Sequence, residues 1–332
     1  EYDGGLRQVT ACSKRGMAAA EWPPPSMFEA KTGGNMKRNK KTLIAFLLPA
    51  MIFFTTVFVY PVIRTALMSL YEIDNVTAKV SQWRFSGIEN YIKLMNTPVF
   101  HSALWNLLKI WLIGGVAVMG LSLFLAVVLS SGVKGKKVFR AILYFPNIVS
   151  AVALAVMWQQ YVYSSKFGLL KPLADFFGWQ WLDPDHKFAA MLIAYCFGMV
   201  GYHMLIFLSG IERIGQQYFE AATIDGANRF KQFLFITLPL LRGVFKTNIT
   251  MWSVSSIGFF VWSQLFAGTG VAIEASLITP LAYLYNQTFS NTDVVVERNA
   301  GVGAAVGVVM AVLVVIVFWI TSKLIPDDDI EF

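Results

Sequence analysis

Six stretches of this chain run for more than twenty residues without a charged side chain: Leu43–Ile63, Ile110–Ser130, Ala141–Tyr163, Phe188–Ile211, Thr247–Ala267 and Ala300–Ser322. About 20 mostly apolar helical residues cross the roughly 30 Å of bilayer hydrocarbon. One Lys or Arg at the centre of such a helix costs about 2.5–3.5 kcal/mol, so uncharged runs of this length mark membrane spans. Composition agrees: 56% of residues are hydrophobic and 14% charged, with mean hydropathy +0.56. Soluble domains are nearer 45–50% apolar and about 25% charged. The expected fold class is an all-α integral membrane protein with about six transmembrane helices. The expected bounds are a flexible tail over 1–42, a membrane domain over 43–323 and a short acidic tail over 324–332.

The basic residues flank the spans instead of forming a soluble basic face, so the net charge of +7 gives no case for nucleic acid. Lys37, Arg38, Lys40 and Lys41 precede the first span, Lys134, Lys136, Lys137 and Arg140 fill the second loop, and Arg213, Arg229, Lys231 and Arg242 mark the fourth. The last long loop, 268–299, has only Arg298. Positive charge stays on the cytoplasmic side, which predicts that the even-numbered loops and both termini are cytoplasmic. Residues 1–35 lack apolar periodicity and a signal-peptide core; with Met36 heading a basic run, they read as an upstream extension or as foreign to the natural chain. Cys12 and Cys196 form no disulfide framework or metal-ligand spacing. Residues 275–292 are uncharged but broken by Pro280, Asn286 and Gln287, with Leu277, Leu281, Leu284 and Tyr285 at helical spacing; an amphipathic loop helix is expected there, not a seventh span. Gly303 and Gly307 form a GxxxG packing face on the last helix.

The loop between the fourth and fifth spans is the most informative segment. It runs from Tyr218 through Glu220-Ala221-Ala222 and Asp225-Gly226-Ala227 to Ile236, Leu238 and Pro239. The pattern predicts a short helix over Gln216–Ile224, a turn at Gly226 where backbone freedom is needed, and a second short helix carrying Phe230, Phe233, Leu234 and Ile236 to Pro239, which can open the next helix. The two alanines leave a low surface for another body to approach. By itself this is also what an ordinary amphipathic loop on a membrane surface looks like.

The whole pattern resembles the EAA motif of bacterial ABC importer permeases: E-A-A, three residues to a Gly, then about a dozen to I-x-L-P. Glu220, Ala221, Ala222, Asp225, Gly226, Ala227, Ile236, Leu238 and Pro239 match it, ahead of the penultimate span. Phe85-Ser86-Gly87-Ile88-Glu89-Asn90-Tyr91, with Phe100, Ala103, Leu104 and Asn106, is similar to the outer loop of the sugar-type, MalF-like branch, and the likeness runs from about residue 40 to the end. The resemblance implies an inner-membrane permease subunit passing a carbohydrate, an oligosaccharide with an alginate-type chain as one candidate. It further implies a second permease subunit, two cytoplasmic ATPases holding ATP and Mg, and an extracytoplasmic solute-binding protein. This chain has no cofactor of its own in that scheme, and it carries no G-x-x-x-x-G-K-[ST] phosphate loop.

Polar groups within spans face a bundle interior or a wet cavity. On the fifth span Asn248, Trp252, Ser255, Ser256 and Phe259 follow helical steps and share a face; the fourth offers Tyr202 and His203. By offset from the motif, the resemblance places Tyr202, Trp252, Ser255, Ser256 and Phe259 at or near the sugar path. The plainer alternative is that the serines bond their own helix, the aromatics pack, and His203 makes a bundle hydrogen bond. Gln159 and Gln160 fall near the outer end of the third span.

Two other classes stay in view: a secondary transporter or channel subunit for a small polar solute, and a membrane-embedded enzyme. No Asp or Glu lies in the six runs and no repeat is evident, against the first. His101, His186 and His203 show no ligand pairing, against the second. The topology has a direct check. Single cysteines at Ser131, Gln216 and Asn291 are treated with an impermeant thiol reagent in intact spheroplasts, and only Asn291 should label; labelling at Gln216 but not Asn291 overturns the orientation.

Overall fold

The computed structural model describes residues 40–74, 76–267, 274–289 and 299–325. The expected tail over 1–42, the acidic tail and Arg298 therefore lie wholly or mostly outside the described residues. The chain divides into two compact units, Glu1–Tyr60 and Pro61–Phe332. In the first, Lys40–Phe54 is α-helical and Thr55–Val59 widens to a π turn. No side chain from Ile44 to Phe58 is buried, as suits a helix that meets lipid.

Among the described residues, four helices are long and apolar enough to cross a membrane: Ile44–Met68, Pro98–Ser130, Pro184–Arg213 and Ala300–Leu324. Two bent pairs bring the number to six if each counts as one span. The all-α membrane architecture follows the charge gaps, and the described strands are only the two-residue pair Tyr71–Glu72 and Arg84–Phe85. The second-span helix starts twelve residues before its uncharged run, at Pro98, because Phe100, Ala103 and Leu107 also find a buried face.

The third run corrects the expectation of one continuous span over Ala141–Tyr163. Its helix Lys136–Ile148 stops, Val149 and Ser150 are extended, and Ala151–Val162 leaves at 97°. Pro146 removes one backbone donor from the first helix, and the β-branched Ile148 and Val149 accept an extended backbone readily. The seven α-helical and five π-helical residues after the break rise about 18 Å, too little to cross the hydrocarbon alone. The fifth span bends more gently, by 42°, between Arg242–Ile257 and Phe260–Ala267.

The segment expected to form an amphipathic loop helix does form a short helix, and its inner face packs into the bundle. Its helix is Pro280–Phe289; Ala282, Tyr283 and Gln287 face inward with Leu277, while Tyr285 points out. The Asn106 amide donates to the carbonyls of Ala275 and Ile278 at 2.8 and 3.0 Å, and Gly303 lies directly against the Thr288 hydroxyl and Gly307 beside Leu284. The GxxxG face thus receives this short helix. Residues 290–298 lie outside the described residues.

A second close approach fixes the broken span. A Cβ at Gly201, on the fourth span, would run into the Leu143 carbonyl and the Tyr144 Cα of the helix before the break. Backbone cannot step aside as a side-chain tip can. Gly201→Ala should therefore cost about 2–3 kcal/mol, at the high end for overpacking. Gly120→Ala, where an added Cβ meets nothing within 4 Å, should leave stability unchanged. Thermal midpoints of the two purified variants test this, and equal midpoints would contradict it.

Candidate functional site

The loop between the fourth and fifth spans folds as a projecting helix closed by a Schellman turn. The helix is Gln216–Ile224, as the pattern predicts, with no buried residue. Gly226 sits at φ +77°, in the left-handed region where glycine is at ease. The Ala227 N–H donates to the Ala222 carbonyl at 2.8 Å and the Gly226 N–H to Thr223 at 3.1 Å, the paired closure that satisfies the last carbonyls of a helix. The spacing from the double alanine to the glycine is therefore the length of one helix ending. Glu220, Ala221 and Asp225 are exposed on this helix, and Ala222 and Ala227 are partly covered.

Two residues that the pattern did not single out brace the turn. Asn228 caps the next helix, Arg229–Gln232, its Oδ1 accepting from the Lys231 N–H at 2.9 Å. Gln232 is buried, and its Nε2 donates to Thr223 Oγ1 at 2.9 Å and to the Ala227 carbonyl at 3.2 Å, tying the two short helices together. The second helix then widens to a π turn over Phe233–Thr237, and Pro239 opens a short piece before the fifth span starts at Arg242.

This hairpin presents apolar side chains to solvent: Ile224 is 87% exposed, Phe230 69% and Phe235 72%. A cleft of about 920 Å³ lies between it and the second loop, with Lys136, Glu212, Glu220 and Asn228 among its walls. Glu212, at the end of the fourth span, pairs with Arg140 and, at 3.5 Å, with Lys136, so the first helix of the broken span is tied to the root of the hairpin.

The fifth-span residues share a face as their spacing predicts, but that face is packed. Trp252 is 2% exposed; its Nε1 donates to the Trp111 carbonyl at 2.8 Å, and its ring lies on Gly114 and Gly115, where any Cβ would collide with it. Phe259 is buried edge-on against Tyr195, with centroids 4.6 Å apart. Ser256 donates to the Trp252 carbonyl of its own helix at 2.7 Å. His203 Nδ1 and Asn248 Oδ1 lie 2.7 Å apart, both fully buried, joining the fourth span to the fifth. The helical face that gathers them closes here on the second and fourth spans. Only Tyr202 and Ser255 are partly exposed, and Tyr202 opens on a different cavity, of about 570 Å³, with Tyr144 and Ser209. Gln159 donates to the Leu265 carbonyl at 3.0 Å, so it staples the third span to the fifth.

Among the described residues no group of three or more His, Cys, Asp or Glu is placed to hold a metal ion.

Residues 118–327 match the family model for "Binding-protein-dependent transport system inner membrane component". The chain is 29% identical over 314 residues to the arabinooligosaccharides transport system permease protein AraP of Bacillus subtilis (strain 168), covering 91% of this chain and 94% of that protein. It is 27% identical over 251 residues to the lactose transport system permease protein LacF of Rhizobium radiobacter, covering 74% and 82%. Among solved structures it is similar to a chain of a bacterial ABC transporter involved in the import of the acidic polysaccharide alginate, with TM-score 0.67 and 18% identity over 86% of this chain and 96% of that one. That last likeness is one of fold. With the family model covering well over half of the sequence, and a bundle and hairpin of this form, the chain belongs to the inner-membrane components of binding-protein-dependent transport systems, and it is a transport subunit, not an enzyme.

Proposed function

We propose that this chain is one of two permease subunits of an ATP-driven importer that takes an oligosaccharide from an external binding protein and releases it to the cytoplasm. Family membership sets aside the secondary-transporter, channel and enzyme alternatives. The carbohydrate class is supported by the arabinooligosaccharide and lactose permeases to which the chain is similar over most of its length. The observation that carries the coupling role is the projecting hairpin Gln216–Gln232, braced by a closed turn and tipped with exposed Ile224 and Phe230. An apolar tip on a rigid hairpin fits a groove in a partner; exposed patches of this kind mark interaction sites. In this reading Glu220, Ala221, Ala222, Asp225, Gly226, Ala227 and Pro239 meet an ATPase that holds ATP and Mg. The hairpin side and both termini face the cytoplasm, and residues 43–323 form the membrane domain.

The sugar path in this reading passes the partly exposed Tyr202 and Ser255. Trp252, Ser256, Phe259, His203 and Asn248 hold the wall from behind, where they fix the fourth span to the fifth. Binding along the path is weak, since a site that grips its cargo cannot release it inward.

The function is tested by reconstituting the complex with its binding protein and screening oligosaccharides for stimulation of ATP hydrolysis. Gly226 variants belong in the same assay. Among the described residues nothing lies within 4 Å of an added Gly226 Cβ, so the intrinsic cost is the left-handed backbone alone, which Asp tolerates better than Ala. A partner surface pressed against the turn reverses that order. Gly226→Asp should cut uptake at least tenfold and Gly226→Ala only severalfold, with both proteins inserted; normal uptake with Gly226→Asp in a complex that still hydrolyses ATP sinks the coupling assignment.

Trp252→Ala should destabilise the complex by about 3–5 kcal/mol, the usual cost of truncating a buried Trp, and leave saccharide preference unchanged in what survives. An unchanged thermal midpoint with an altered preference would return Trp252 to the sugar path.

A further inference from the structure

We propose that Arg213 and Arg242 form an oxyanion site in the cavity of about 570 Å³ between the fourth and fifth spans, for a ligand with an anionic head and a less polar body. Arg213 is the last residue of the helix Pro184–Arg213 and Arg242 the first of Arg242–Ile257, so both charges stand at the hairpin end of the cavity. Tyr202 lines the same cavity eleven residues back from Arg213, about 16 Å deeper at helical rise. Leu205 and Ile206 lie between them on the same wall. The cavity is therefore cationic at its mouth and aromatic and aliphatic within, and its size falls in the range of small-molecule sites.

Among the described residues no carboxylate lines the cavity and neither arginine forms an ion pair. Glu212, the neighbour of Arg213 in sequence, is already engaged by Arg140 and Lys136. Guanidinium matches phosphate and carboxylate oxygens through paired N–H donors, so an oxyanion is the ligand chemistry that two arginines lining one cavity recognise. Two sources carry that chemistry at this depth. One is the phosphate of an acidic phospholipid in the adjoining leaflet, whose chains would lie along Leu205 and Ile206. The other is the carboxylate of an acidic saccharide leaving the path past Tyr202; this source rests on the proposed function, and the lipid source does not.

The test uses the purified full complex in neutral detergent and follows its thermal midpoint. Dioleoyl phosphatidylglycerol is compared with dioleoyl phosphatidylcholine, and trigalacturonate with maltotriose. At least one anionic probe should raise the midpoint where its neutral counterpart does not, and Arg213→Gln with Arg242→Gln should weaken half-saturation at least tenfold. Lys134→Gln with Lys137→Gln, outside the cavity, should leave the response as in the wild type, and the charge-keeping pair Arg213→Lys with Arg242→Lys should retain part of it, which guards against a merely misfolded double variant. A response to phosphatidylglycerol assigns the site to lipid, and one to trigalacturonate assigns it to cargo. The proposal is overturned if neither anion exceeds its neutral partner, or if the glutamine pair responds as the wild type does. Failure of every saccharide to stimulate ATP hydrolysis would refute the proposed function and leave the phosphatidylglycerol comparison intact.

Discussion

A reciprocal pair of indole hydrogen bonds holds the second span to the fifth, and the rest of the bundle depends on it. Trp252 donates to the Trp111 carbonyl, and Trp111 donates to Ser253 Oγ, both at 2.8 Å. The acceptor carbonyl lies in the π turn Ile110–Gly114 and also accepts from the Gly115 N–H, so the indole uses its second lone pair. Hydrocarbon offers the buried indole N–H no water, and leaving it bare costs several kcal/mol. The tryptophan therefore needs this carbonyl. Gly114 and Gly115 complete the fit, because the indole occupies the space their side chains would take.

This pairing makes a unit of the spans on either side of the hairpin. The His203–Asn248 contact joins the fourth span to the fifth, and Gly210 lets Leu241 and Val244 close against the fourth span near its end. In the proposed coupling role, a push on the hairpin would be delivered to two helices that are already fastened together, with the second span fastened to them through Trp252. The turn at Gly226 and the Gln232 brace keep the lever stiff. Coupling asks for that stiffness, since a soft hairpin would absorb the displacement of its partner.

Much of this was legible in the sequence, and what was not has physical causes. Charge gaps mark spans because the penalty for a charge in hydrocarbon is local, so four spans and the positions of the two bent ones read directly. The hairpin read well for the same reason: helix, glycine turn and helix are decided by neighbouring residues. Periodicity identified the shared face of Asn248, Trp252, Ser256 and Phe259, but it gives only an angle around a helix axis. Whether that angle meets a cavity or another helix depends on Gly114 and Gly115, some 140 positions away, and no local pattern carries that information. The break at Val149 and Ser150 was hidden for a related reason. Proline occurs in straight spans too, and the turned form is held by distant contacts, among them the press of Gly201 against Leu143 and Tyr144 and the Glu212–Arg140 pair.

The residues between the first two spans whose pattern resembled the sugar-type branch have mechanical reasons for their identities. Asn90 is fully buried; its amide donates to the carbonyls of Ser69 and Tyr71 at 2.9 and 2.8 Å, while its Oδ1 lies 3.5 Å from the Asn299 amide. Asn299 caps the last span, accepting from the Gly301 and Val302 N–H groups at 2.8 and 3.2 Å. Gly301 lies directly against the Tyr71 carbonyl, so only glycine lets the last helix start there. One amide thus closes the strand pair that follows residue 70 onto the start of a helix more than 200 residues later. Asn106 does the same work for the chain entering Pro280–Phe289. In both cases an asparagine supplies short, two-sided hydrogen bonding where a chain turns at the edge of the bilayer and its backbone would otherwise stay unsatisfied. Asp or Leu of similar size could not replace either one: Asp has no donor for the carbonyls, and Leu has neither donor nor acceptor. The identities of Asn90, Asn106, Asn299 and Gly301 are therefore accounted for by how the bundle is closed at this end.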